Sequence, residues 1–216
     1  MNSSVVLTGD LIGSTKASLE AVDQAMVALA GAADEISLWV GADTRFTRFR
    51  GDGWQIHLAN PKLVLRATLL LLARLRNKGG GLETRLSIAE GQVDRLGTQN
   101  LADASGEAFF RSGRNLDNAH AVFNYFVYAS PNPDYPLKAA VMEMANWQAR
   151  RWTPEQAEAV ALAIKLPRPT DEAMATTLGI SRQALQSRLK GSGLMATSSA
   201  LFAFEVGSSR PEQSDA

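Results

Sequence analysis

Asp10 and Asp52 are the two acids whose surroundings suggest metal chemistry. Asp10 closes Val5-Val6-Leu7-Thr8-Gly9-Asp10, which reads as a short buried strand stopped by a turn. Asp52 stands in the tip of Arg48-Phe49-Arg50-Gly51-Asp52-Gly53-Trp54, where Asp-Gly between two strand-like runs signals a hairpin. In a strand–helix–hairpin order the two positions are neighbours on adjacent strands. Two carboxylates so placed are hard ligands for a divalent cation, which tolerates phosphate as a co-ligand. After Asp10, Leu11-Ile12-Gly13-Ser14-Thr15 runs into a helix whose first backbone N–H groups would cradle a phosphate. A plainer reading uses the same residues: Asp-Gly is ordinary hairpin chemistry, and Asp10 a turn or cap. Spacing alone leaves both open.

A second constellation lies near the other end. In AMATTLGISRQALQSRL, Ala175, Gly179 and Leu185 have the spacing of a helix-turn-helix: a small residue for close approach, glycine for the turn and an aliphatic anchor. Leu178, Ile180, Leu185 and Leu189 would form its core, leaving Arg182, Gln183, Gln186, Arg188 and Lys190 to solvent. Ser181 to Lys190 holds three basic residues and no acidic one, as a helix among phosphates requires, and Arg and Gln can read base edges. The expected partner is double-stranded DNA. The competing reading is a helical bundle for packing or dimerisation with a solvated basic face, and Asp171 and Glu172 on the first helix count against a broad footprint.

These residues need elements to hold them. Apolar residues recur at helical spacing from Ala17 to Val40. Two strand-like runs fill Arg45 to Ala59, Asn60-Pro61 opens a helix ending in Gly79-Gly80-Gly81, and Thr84 to Val93 alternates as a strand. A polar loop, a helix from about Gly106 to Ala121 and the aromatic run VFNYFVYA complete the order βαββαβαβ, followed by a helix from Leu137 to Arg151. One antiparallel hairpin among alternating elements favours an α+β sandwich over a doubly wound parallel sheet. Beyond it everything reads as helix, opened by the capping box Thr153-Pro154-Glu155-Gln156. The expected division is 1–150 for the α+β domain, 151–206 for a small all-α helix-turn-helix domain and 207–216 for a disordered Ser/Pro/Glu-rich tail. Trp54, His57 and His120 read as packing residues, and Arg48 and Arg50 share a strand face, turned either to an anion or to solvent.

Composition narrows the function. Of 216 residues none is Cys, which excludes disulfides, thiol catalysis and Cys-ligated metals. Two histidines leave little for a His-based metal cage or a triad. Lys and Arg number 22 against 22 Asp and Glu, so a globally basic coat is excluded and only a local basic patch remains. The longest apolar stretch, Ala67 to Ala73, is far short of the ~20 residues of a membrane span. MNSSVVLTGD lacks a basic start and an apolar core, so the expectation is a soluble cytoplasmic protein with no membrane partner.

In chain order, TGDLIGST, RFRGDGWQIHL, TRLSIAEGQV and DASGEAFFRSGR resemble the motif set of the class III nucleotidyl cyclases over about Val5 to Asn118. Gly-Asp after the first strand and Ser-Gly-Glu-Ala-Phe…Ser-Gly-Arg-Asn-Leu-Asp further resemble the SatD family, bacterial proteins with a cyclase-like domain and a C-terminal helix-turn-helix. The resemblance implies a ferredoxin-like, class III cyclase-like α+β sandwich. It places Asp10 and Asp52 on the metal-binding aspartates for Mg²⁺ or Mn²⁺, with the Leu11 carbonyl as a further ligand. Asp103 falls where an acid helps recognise the purine, and Arg114 on the arginine that stabilises the transition state. Two positions depart. Arg48 stands where adenylyl cyclases have Lys and guanylyl cyclases Glu, and Phe110 stands where the family has an Asn that orients the ribose. Loss of one such polar contact costs ~3 kcal/mol of barrier, 10²–10³ in rate. Nucleotide and metal binding therefore survive in this reading while turnover is weak or absent. The resemblance also implies a head-to-tail homodimer with sites between protomers, and a dimer offers two recognition helices for paired half-sites. The sequence thus favours a DNA-binding regulator that senses a purine nucleotide with Mg²⁺. The alternatives are an active cyclase or related phosphoryl-transfer enzyme with an accessory helical domain, and a structural pair of domains that bind a protein partner.

Overall fold

The structure, a computed structural model, describes residues 3–41, 44–121 and 125–206, with 120 and 121 described by backbone alone. The His120 side chain, the start of the expected aromatic strand at 122–124 and the tail 207–216 lie outside the described residues.

Five strands form one sheet in the order β2-β3-β1-β4-β5: β1 Ser4–Ile12, β2 Phe46–Phe49, β3 Gly53–Leu58, β4 Glu83–Gly91 and β5 Phe126–Ala129. β1 is central and antiparallel to both β3 and β4, and only β4 and β5 run parallel. This is the α+β arrangement that the element order predicts. β1 overruns its expected stop, because Thr8, Gly9 and Asp10 are not a turn but paired residues, opposite Gln55, Trp54 and Gly53 on one side and Ser87, Leu86 and Arg85 on the other. Glycine is required there: a Cβ on Gly9 would stand 2.5 Å from the Trp54 ring and 2.6 Å from the Arg85 carbonyl oxygen.

Strand alternation sorts the two faces. Val5, Leu7 and Leu11 join one apolar cluster with α1 (Leu19–Val40) and α2 (Val64–Lys78). The intervening positions face α3 (Glu107–Ala121), where the Thr8 hydroxyl meets that of Ser112 at 2.8 Å. α2 is apolar almost all round, as a helix covered on both sides must be. Its second cover is α5 (Pro154–Ala163). α4 (Tyr135–Ala149), α6 (Asp171–Leu178), α7 (Arg182–Gly191) and α8 (Leu194–Val206) complete the chain. One apolar cluster runs from Val5 to Phe204, so packing is continuous across Arg150. The capping box of α5 forms as read, Thr153 and Gln156 each bonding the other's backbone N–H. No helix among the described residues is long and apolar enough to cross a membrane.

Candidate functional site

Asp10 and Asp52 meet at one end of the sheet. Asp10 pairs with Gly53 across β1 and β3, and the Leu11 amide donates to the Asp52 carbonyl at 3.1 Å, which fixes the hairpin tip beside Asp10. The Ser14 hydroxyl donates to Asp52 Oδ2 at 2.5 Å. Gly13, in the left-handed region at φ 78°, turns the chain so that Ser14 can reach back. Ser14–Lys16 is a single 3-10 turn, and α1 opens only at Leu19, capped by Ser18. The helix start therefore lies beyond Gly13, Ser14 and Thr15, and these residues wrap the hairpin tip instead of forming the first turn of α1.

Sequence reasoning missed Arg85. It faces Asp10 across β4 and β1, and its Nη1 lies 2.9 Å from Asp10 Oδ2. The residues just before it extend the network. Trp54 Nε1 donates to Thr84 Oγ1, and the Thr84 hydroxyl donates to the Asp10 carbonyl at 2.8 Å. Arg150 donates to the Thr84 carbonyl and to Glu83 Oε2, each at 2.6 Å, and Arg76 Nη1 stands 3.7 Å from Glu83 Oε1. Burial pulls the Arg150 guanidinium below its ordinary value against the favourable field of Glu83. The signal that could have found this group is polar residues at the start of a central strand, Glu83-Thr84-Arg85, where burial demands partners.

The side chains matched to purine recognition are engaged locally. Arg48 donates to Asp23 Oδ1 on α1 at 2.7 Å and to the Gly51 carbonyl. Arg50 does not share its strand face, because it lies past the end of β2 with φ at 49°. Asp103 accepts from the Thr98 amide and pairs with Arg95; these hold its carboxyl below the usual range, the Thr98 bond first. Beside them, Thr47, Gln55, Leu101, Ser105, Phe109 and Phe110 line an open cleft between the β2–β3 hairpin and α3. Phe110 is 69% exposed at the rim, so it is no core residue. Arg114 is exposed on α3 in the next groove, with Asn115, Asn118 and Tyr128. The chain does not place Arg114 in the Asp10–Asp52 group.

Asp10, Asp52 and Ser14 offer two carboxylates and a hydroxyl, hard oxygens that suit Mg²⁺ or Mn²⁺ rather than a soft metal. Among the described residues no group of three or more His, Cys, Asp or Glu gathers as a metal cage. A cation held there would complete its shell with water or ligand phosphate.

In the C-terminal unit, Thr170 caps α6, Gly179 turns in the left-handed region at φ 64°, and Ser181 caps α7. Leu185 and Leu189 are buried, Leu178 and Ile180 partly so; Met174, fully buried, is a core member that the sequence pattern missed. Arg182, Gln183, Gln186 and Lys190 are exposed. Arg188 turns back to Glu158 on α5 at 3.4 Å.

No family model and no protein of curated function matches the chain. Two of the solved structures that the chain matches are cyclases. A bacterial light-regulated adenylyl cyclase matches at 15% identity with a TM-score of 0.42, over 58% of this chain and 74% of its own. The guanylyl cyclase Cya2 matches at 18% identity with a TM-score of 0.39, over 54% of this chain and 70% of its own.

Proposed function

We propose that the chain is a DNA-binding regulator whose 1–150 domain binds a purine nucleotide with Mg²⁺ and whose helical 151–206 unit reads DNA. The observation that carries this reading is the juxtaposition of Asp10 and Asp52 at the β1–β3 end, in a chain that also presents an exposed basic helix. Asp10, Asp52, the Leu11 carbonyl and Ser14 would hold the cation, which would neutralise the phosphates of the bound nucleotide. Phe109 and Phe110 offer flat apolar contact to a base, and Gln55 an amide for its edge. Arg182, Gln183, Gln186 and Lys190 meet the duplex. Nucleotide occupancy reaches them through Glu83-Thr84-Arg85, since Arg85 touches Asp10 and its two predecessors hold Arg150 at the entrance to the helical unit. A homodimer supplies two recognition helices.

Fluorescence anisotropy on duplex DNA, with and without Mg²⁺ and each of ATP and GTP, tests the coupling. One nucleotide should change the DNA affinity; indifference to both sinks the regulatory reading.

The second reading is an active cyclase or related phosphoryl-transfer enzyme. Exposure of Arg114 favours it, because such an arginine can serve the site of a second copy. Phe110, standing on the same helix, provides no polar contact to a ribose. Accumulation of a cyclic product that disappears in Asp52→Ala would establish this reading.

A further inference from the structure

α4 and α8 present an apolar face to solvent. The two helices run antiparallel: Gln148, near the end of α4, donates to Thr197 Oγ1 at 3.4 Å near the start of α8, and at the opposite ends the Lys138 ammonium lies 5.9 Å from the centre of the Phe204 ring. Each helix is apolar on both sides. Inward, Met142, Leu194, Leu201 and Phe204 are buried. Outward, Leu137, Met144 (72% exposed), Trp147 (58%), Met195 (82%) and Phe202 (67%) stand in water. An open groove of about 600 Å³ runs between the helices, lined by Ala145, Ala196 and Ala200 together with Val141, Met144 and Trp147.

A helix that is apolar all round belongs in an interior, and monomeric proteins rarely leave a contiguous apolar patch larger than a few hundred Å². The five outward side chains expose roughly 700 Å², near the ~800 Å² that each partner contributes to a stable dimer. Residues 207–216, GSSRPEQSDA, hold no large apolar side chain that could fill the groove. A second copy fits better, because the face carries both a groove and side chains of a size to enter it, as a self-complementary interface requires. Its charges complement one another too. Glu143 and Arg151 are exposed and lie four residues either side of Trp147. An antiparallel crossing of two α4 helices at Trp147 brings Glu143 of each copy to Arg151 of the other. It also brings together the two Trp147 rings, each already 3.6 Å from its own Arg151 guanidinium. A lipid surface would want a basic rim instead, and Glu143 stands on this one.

We propose that the α4–α8 face is the interface between two copies of this chain, with the α4 helices crossing at Trp147 and with Met144 and Trp147 of each copy entering the groove of the other. Only Ser192 and Gly193 separate α7 from α8, so this pairing would also set the distance between the two α7 helices. The interface itself depends on neither the nucleotide nor the DNA reading.

Size-exclusion chromatography with light scattering tests this on the full chain, with thermal unfolding as the check on folding. Wild type should run at twice the mass of one chain at micromolar concentration. Met144→Glu combined with Trp147→Glu should halve that mass, raising the dissociation constant on the order of a hundredfold, since both copies carry each charge. Both positions are exposed in a single chain, so the monomer should stay folded. Glu143→Arg and Arg151→Glu should each weaken the dimer, and their combination should restore it. A wild-type monomer overturns the proposal, and its flotation with phosphatidylglycerol vesicles would give the face to a lipid surface. An assembly whose mass is unchanged in the folded Met144→Glu, Trp147→Glu variant overturns it as well, placing the contact between copies elsewhere. A doubly charge-reversed chain that dimerises no more tightly than either single reversal overturns the crossing at Trp147. None of these measurements uses nucleotide or DNA, so the interface and the proposed function fail separately.

Discussion

Arg150 closes on Glu83 at 2.6 Å, joining the end of α4, where the helical unit begins, to the first residue of the strand that carries Arg85. The same guanidinium donates to the Thr84 carbonyl and lies 5.2 Å from the centre of the Tyr125 ring. One side chain thus ties the candidate site to the helical half by three contacts. Arg150→Met should cost about 1–3 kcal/mol in urea unfolding, since it takes a donor from the carbonyl of the buried Thr84. It should also remove the effect of nucleotide on DNA affinity while leaving basal DNA affinity intact. Retained coupling in Arg150→Met would show that the signal travels elsewhere.

Trp152 makes the second tie, its carbonyl accepting from Arg76 Nε on α2 at 2.8 Å. Trp152 is 2% exposed, and its indole N–H donates to the Ser192 carbonyl at 2.9 Å, just after α7. Trp152→Ala leaves a large cavity, while the Ser192 carbonyl keeps its bond from Gln148 Nε2, and should cost about 3–5 kcal/mol in chemical unfolding. Trp152→Phe should recover most of the packing and none of the hydrogen bond.

Gly9→Ala should damage the site without touching a charged residue. Its methyl group would collide with the Trp54 ring and the Arg85 carbonyl, which belong to the two strands flanking β1. Overpacking of this kind costs about 1–3 kcal/mol. Arg85 moves with its carbonyl, so Mn²⁺ affinity should change in the same variant. Wild-type stability and metal affinity in Gly9→Ala would contradict the packing described.

Asp103 gives a pH prediction. Its folded pKa lies below the ordinary value, so its ties to Thr98 and Arg95 contribute fully above the usual carboxylate range. They are lost as pH falls through the lowered value, below about pH 4. Amide exchange in the 95–105 loop should accelerate in that acid window. In Asp103→Asn the loop should already exchange faster at neutral pH.

On the proposed DNA face, Arg182→Ala and Lys190→Ala should each weaken duplex binding and lower the slope of log affinity against log salt by about 1, if each touches a phosphate. Arg188→Ala should change that slope less, because Arg188 is turned toward Glu158. Equal effects from all three would mean that Arg188 leaves Glu158 on binding.

The parts of this architecture that depend on local pattern are legible in the sequence. The Thr153 capping box, the Gly179 turn and the Asp-Gly hairpin each need only a few adjacent residues, and each forms as expected. The neighbouring placement of Asp10 and Asp52 follows from the order of strands. What the sequence hides is set by cross-strand register. Thr8-Gly9-Asp10 reads as a turn by composition, yet it is central strand because Trp54 needs a glycine opposite. Arg85 reads as an unremarkable strand residue until β4 lies beside β1 and delivers it to Asp10. Arg48 and Asp103 fit a motif by position, but Asp23 and Arg95, which lie outside that motif, hold their charges.

A metal-dependent nucleotide site at Asp10 and Asp52 is most directly tested by thermal unfolding with Mg²⁺ or Mn²⁺ and each of ATP, GTP, CTP and UTP. A ligand that binds only the folded protein stabilises it by ~2.7 kcal/mol at a hundred times its dissociation constant. The melting temperature should rise with a purine nucleotide, the rise should require the divalent cation, and it should vanish in Asp52→Ala. No shift with any nucleotide, or a shift that survives Asp52→Ala, would mean that the two aspartates do not form such a site.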